Sequence, residues 1–234
     1  MEALRNFITN PWVIGTWIVL MLISLVILVR DLWAKNPEIM PLMKAVWCLT
    51  VIYSGPIGLL IYFYSGRKQI SHDSLWRKGF RSVSHCYSGC GAGEITGLLV
   101  MTGLLAINSN LWVALTTFVL AYVFGFGMTI GPLLQDGEKF GAAFKDALYS
   151  ESASIAVMEI VAIGTDIWLA KNAQFGEPLF WSSLVLSLSI GLIAAYPVNL
   201  LLIRFGVKEG MHNPKEMAKH MHEQGHGGGH AHAH

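Results

Sequence analysis

Within ten residues the chain places an imidazole, two thiols and a carboxylate: His85, Cys86, Cys90 and Glu94, in the run SHCYSGCGAGEITGLLV. Thiolate, imidazole and thioether donors favour soft or borderline ions, Cu(I) and Zn above all, while a carboxylate adds a route for a harder ion or a proton. A second polar set follows at Glu151, Met158, Glu159 and Asp166. The spacing of the two sets matches. Glu94 lies eight residues beyond Cys86, and Glu159 eight beyond Glu151, so on helices each carboxylate sits ~12 Å inward of its start. Cys86, Cys90 and Glu94 recur at i, i+4, i+8 and share one stripe; His85, Gly89, Gly93 and Gly97 form the neighbouring one. Three glycines at that spacing admit a closely packed helix. The expected site is therefore a transition-metal centre (Cu or Zn) of His85, Cys86, Cys90, Glu94, Met158 and Glu159. Glu151 and Asp166 extend it as a secondary polar path, and Gly89, Gly93 and Gly97 serve as packing positions.

Each residue alone has a plainer reading. A thiol in an apolar helix is commonly a small filler, as Cys48 is taken to be. His85 could bond a lipid headgroup, and either glutamate could pair with a hydroxyl. A carboxylate in hydrocarbon costs about 2.5–3.5 kcal/mol on insertion scales and usually faces a functional interior, which favours the joint reading. The Cys-x-x-x-Cys spacing lacks the Cys-x-x-Cys of thioredoxin-like centres, so a thiol oxidoreductase ranks low.

These residues need elements that cross a bilayer. The 234-residue chain is 53% hydrophobic and 13% charged, with mean hydropathy +0.50; soluble domains carry about 25% charged residues. A net charge of +1 offers nothing to nucleic acid. Six apolar stretches approach the ~20 residues a membrane helix needs: Trp12–Val29, Ala45–Tyr64, His85–Ala106, Leu111–Leu134, Ser152–Ala170 and Pro178–Ile203. The fold class expected is all-α: one polytopic membrane domain over 1–206 with six transmembrane helices, then a His-rich tail over 207–234. The first stretch lacks a cleavage site and reads as a retained span. The segment SHDSLWRKGFRS reads as an interfacial piece or a basic loop.

With six spans, Arg5, the basic residues between 67 and 81, Lys139, Lys145 and those from Arg204 onward fall on one side. Only Arg30, Lys35, Lys44 and Lys171 fall on the other. The positive-inside rule then puts both termini in the cytoplasm. The tail holds His212, His220, His222, His226, His230, His232 and His234; its composition predicts disorder and capture of metal at the same face as His85.

At SHCYSGCGAGEITGLL, SESASIAVMEIV and LFWSSLVLSLSIGLIAAYPVNLLLI the chain resembles a prokaryotic membrane-protein family, domain of unknown function 4396, over about 43–205. The run KAVWCLTVIYSGPIGLLIYFYSGR looks like the hairpin that often precedes that domain. Matching positions are His85, Cys86, Gly89, Cys90, Gly93, Glu94, Ser154, Met158, Glu159, Pro197 and Asn199. Where members often follow the M-E-x-V motif with Asp-Asn, this chain has Ala162-Ile163. The resemblance implies a multi-helix fold in the prokaryotic inner membrane and no established activity. The leading expectation is a membrane protein that binds a transition metal ion and passes it outward. The alternative is a non-transporting accessory subunit, docked to a membrane-protein partner or to its own copies through the glycine groove.

Overall fold

The computed structural model describes residues 2–107, 109–135, 137–171 and 173–209. The tail histidines from His212 to His234 lie outside the described residues. Within these, the chain is helical with no strand: α1 (Glu2–Ile8), α2 (Pro11–Ala34), α3 (Pro41–Ser54), α4 (Pro56–Ser65), α5 (Leu75–Leu98), α6 (Asn110–Gln135), α7 (Phe140–Ala170) and α8 (Pro178–Arg204). A π-helical turn, Leu99–Leu104, carries α5 onward. Four helices, α2, α6, α7 and α8, are long and apolar enough to cross a membrane. Their outer faces carry exposed apolar side chains such as Val19, Val26, Val119, Val123, Ile160 and Ile193. Local chemistry sets the starts: the Asn10 side chain accepts a bond from the Trp12 amide at 2.9 Å, and Pro11 occupies the first turn of α2, where its missing N–H costs nothing.

The second apolar stretch, Ala45–Tyr64, is not one span. It is split between α3 and α4, which fold back on each other. The Trp47 and Tyr62 rings meet edge to face at 5.4 Å, whereas fifteen residues of continuous helix would part them by ~22 Å. Gly55 makes the reversal with φ +56°, a conformation natural to glycine, and Pro56, lacking an N–H, begins the return helix. Both ends of this hairpin reach the end of α2. Buried Asp31 there receives two bonds from the Arg67 guanidinium (3.0 and 2.9 Å) and one each from Tyr62 and Asn36 (2.9 Å). Broken backbone at membrane depth is tolerated only under protein cover, and the tip has it, because a Cβ on Gly55 would lie 3.2 Å from the Trp17 ring. Gly55→Ala should therefore cost about 1–3 kcal/mol from backbone conformation alone, with crowding against Trp17 added. A lowered midpoint of thermal unfolding in detergent is the check, and an unchanged midpoint would contradict the hairpin.

The hairpin thus returns to the end of α2 from which it set out. The Arg5 guanidinium bonds the carbonyls of Leu169 and Trp168, at the end of α7. Lys208 bonds Glu151, in the first half of that helix. The described chain ends thus lie at opposite ends of the bundle, ~27 Å apart along α7, and not on one side as six spans required.

The third stretch also differs, since its helix starts at Leu75 and not at His85. Ser74 caps α5 by accepting from the Arg77 amide at 3.3 Å. The expected interfacial piece is thus the first turns of α5: Phe80 stacks on Tyr196 of α8 with ring centroids 4.2 Å apart, and buried Arg81 pairs with Asp73 at 2.6 Å. Rich in Gly, Ser and Cys, α5 is the least apolar of the long helices, and it occupies the centre with α3, α4, α6, α7 and α8 packed around it. The apolar helices shield the polar one.

Candidate functional site

Glycine brings α6 onto α5. A Cβ on Gly93 would lie 2.4 Å from the Leu120 carbonyl oxygen, one on Gly89 2.9 Å from Gly125 Cα, and one on Gly97 2.9 Å from the Thr117 side chain. The groove that sequence offered to a partner protein is filled by the chain's own α6.

On the other flank of α5 a polar column runs through the bundle. At the Lys208 end, the Lys208 ammonium bonds Glu151 Oε2 at 2.6 Å and Asn199 Oδ1 at 3.1 Å, all three residues being buried. Asn199 binds α5 to α7, accepting from Ser82 Oγ at 2.9 Å and donating to Ser154 Oγ at 2.5 Å. Ser154 in turn donates to Cys86 Sγ at 3.6 Å. Cys86 and Cys90 are free thiols with sulfurs 3.9 Å apart. Beyond them lies Glu159, wholly buried, in contact with the Cys90 thiol and with no cationic partner among the described residues. Farther on, Glu94 and Asp166 face a cavity of about 250 Å³ at the Arg5 end, formed with residues of α6 and α8.

The six residues expected to hold one metal ion are not gathered around one point. Among the described residues, no three His, Cys, Asp or Glu side chains are grouped as a metal site. The reason is helical phase. Met158 turns to α8, where a Cβ on Gly191 would touch its side chain at 3.2 Å. His85 sits on the α6 side with its ring towards the Met128 carbonyl and Nε2 without a partner. Glu94 belongs to the far cavity with Asp166. What remains together is the thiol pair, Ser154 and Glu159.

Sequence reasoning missed Lys208, Ser82 and Asp31. Lys208 lies after the last apolar stretch and read as an ordinary inside charge; its partner Glu151 was visible but unpaired. Asp31 closes an apolar run as RDLW, a pattern shared by many membrane-helix ends.

None of the curated proteins and none of the solved structures compared with the chain matches it. A family profile, the domain of unknown function DUF4396, matches residues 75–208. Those limits coincide with the unit just described, from the first residue of α5 to Lys208, and leave α2 and the hairpin outside. The match spans more than half of the chain, which is a membrane protein belonging to the DUF4396 family.

Proposed function

We propose that this membrane protein binds a soft transition metal ion, Cu(I) or Zn, between α5 and α7, with Cys86 and Cys90 as its principal ligands. The observation that carries this reading is the thiol pair beside a buried carboxylate that no neighbouring cation compensates. Metal–thiolate bonds of about 2.3 Å at a tetrahedral angle put two sulfurs about 3.8 Å apart, and the sulfurs here lie 3.9 Å apart. Glu159 stands against the Cys90 thiol, buried and with no cation beside it among the described residues, and a buried carboxylate is costly unless a cation compensates it. Ser154 and Asn199 hold Cys86 from the other side, as outer hydrogen-bond partners do for metal ligands.

The reading includes five crossings, α2, α5 with its π-helical turn, α6, α7 and α8, with the α3–α4 hairpin dipping in from one side. Among the described residues only Arg5 and Lys171 are basic at the Arg5 end; every other Lys and Arg lies towards the Lys208 end. The positive-inside rule makes the Lys208 end cytoplasmic and the Arg5 end external, in a prokaryotic inner membrane. The histidines that follow Lys208 in the sequence then deliver an ion to the thiols from the cytoplasmic side.

Equilibrium Cu(I) binding tests the site. The protein should be the full chain with its seven tail histidines changed to asparagine, so that the tail contributes no imidazole. One Cu(I) per chain is expected, with Cys86→Ser/Cys90→Ser weakening it at least 100-fold. Equal binding by both proteins sinks the proposal. Proteoliposomes loaded with the same ion then separate passage from binding alone.

A further inference from the structure

The cavity at the Arg5 end has a chemistry unlike that of the thiol pair. We propose that it is a second binding site, for a hard divalent cation of the Ca²⁺ or Mg²⁺ class, held by Glu94 and Asp166 through a partly retained water shell. Glu94 is 2% exposed and lines the cavity with its Oε2 unpartnered; Asp166 lines it too, with Oδ1 unpartnered. The neighbouring hydroxyls are already committed as donors. Thr102 Oγ1 donates to the Leu98 carbonyl at 2.7 Å, and Thr117 Oγ1 to the Ala114 carbonyl at 3.0 Å. Their only proton spent, both oxygens offer the cavity lone pairs alone.

The lining is thus rich in oxygen acceptors, and among the described residues it contains no thiol, thioether or imidazole. Oxygen-only donor sets suit hard ions and discriminate against Cu(I). Size agrees: about 250 Å³ exceeds the volume of eight waters at ~30 Å³ each, enough for a small ion with most of its hydration shell. Two carboxylates face one charged side chain, exposed Lys171, at the rim. When both carboxylates ionise to hold a cation, their charge exceeds that of the single ammonium at the rim.

The test is Ca²⁺ titration of the purified full chain at low ionic strength, followed by calorimetry. Calcium is the probe because tail histidines and thiols bind it poorly. One Ca²⁺ per chain is expected. Glu94→Gln/Asp166→Asn should weaken it at least 10-fold, each single variant less so, while Cys86→Ser/Cys90→Ser binds as wild type. The last arm separates this site from the dithiol, and either proposal can fail without the other. Lys171→Gly suits the backbone there (φ +54°) and leaves the core untouched. By removing a competing charge it should tighten Ca²⁺ about 3-fold at low salt. No Ca²⁺ bound by wild type, undiminished binding in the paired carboxamide variant, or no tightening in Lys171→Gly would each overturn the proposal.

Discussion

Lys208→Met is expected to cost about 3–5 kcal/mol of stability, the penalty for stripping one partner from a buried ion pair. The pair is enclosed on both sides, with side chains 8% and 5% exposed and 2.6 Å between the charged atoms. Removing the ammonium leaves Glu151 with a 3.4 Å contact from the Thr129 hydroxyl, and takes from the Asn199 oxygen one of its two donors, Ser82 remaining. Glu151→Gln should hurt for the mirror-image reason. Removing both charges together, in Lys208→Met/Glu151→Gln, should recover most of the loss, because neither leaves an uncompensated charge. Thermal unfolding of the purified proteins, read by tryptophan fluorescence, gives the comparison. Additive losses in the double variant would show that the pair does not act as a unit. The same ammonium sits at one end of the polar column, so the variant also bears on access to the thiols.

The second large effect is expected at Gly93. Its missing side chain is what lets α6 approach: a methyl there would be driven to 2.4 Å from the Leu120 carbonyl oxygen and 2.6 Å from Ala121 Cα. Both are backbone atoms, which cannot rotate away. Overpacking a well-filled core costs about 1–3 kcal/mol where side chains can yield, so Gly93→Ala should fall at or above that range. Gly93→Val should prevent stable assembly of α5 on α6. Gly127→Ala is the control, because the methyl it adds would have nothing within 4 Å; it should change the unfolding midpoint little. Equal effects at the two glycines would contradict the α5–α6 contact.

These two positions show how much was legible in the sequence. The glycine stripe was legible because its i, i+4, i+8 spacing has only a few physical meanings, although spacing alone could not say whether the facing helix belonged to this chain. Lys208 was not legible, since a lysine after an apolar stretch carries no local sign that it folds back onto Glu151. The Ala45–Tyr64 stretch misled for a different reason. Hydropathy counts residues that avoid water, and a buried hairpin of α3 and α4 avoids water as thoroughly as one continuous span. The Gly55-Pro56 pair was its only local mark, and a proline in a membrane helix usually signals a kink.

The polar residues of α5 and α7 were legible as inward-facing groups, but how they divide among themselves was not. Cys86, Cys90 and Glu159 converge because α5 and α7 cross there with the stripes facing. Met158, one residue away from Glu159, is turned towards α8 by a helical step of about 100°. Glu94 sits on the thiol stripe one turn beyond Cys90, where it lines the cavity it shares with Asp166.

The central claim is that the thiol pair holds metal, and X-ray absorption of the Cu(I)-loaded full chain tests it most directly. The tail histidines are again replaced by asparagine. The predicted spectrum has two sulfur neighbours at about 2.2–2.3 Å, reduced to none in Cys86→Ser/Cys90→Ser. A wild-type spectrum with only nitrogen or oxygen neighbours would contradict the account.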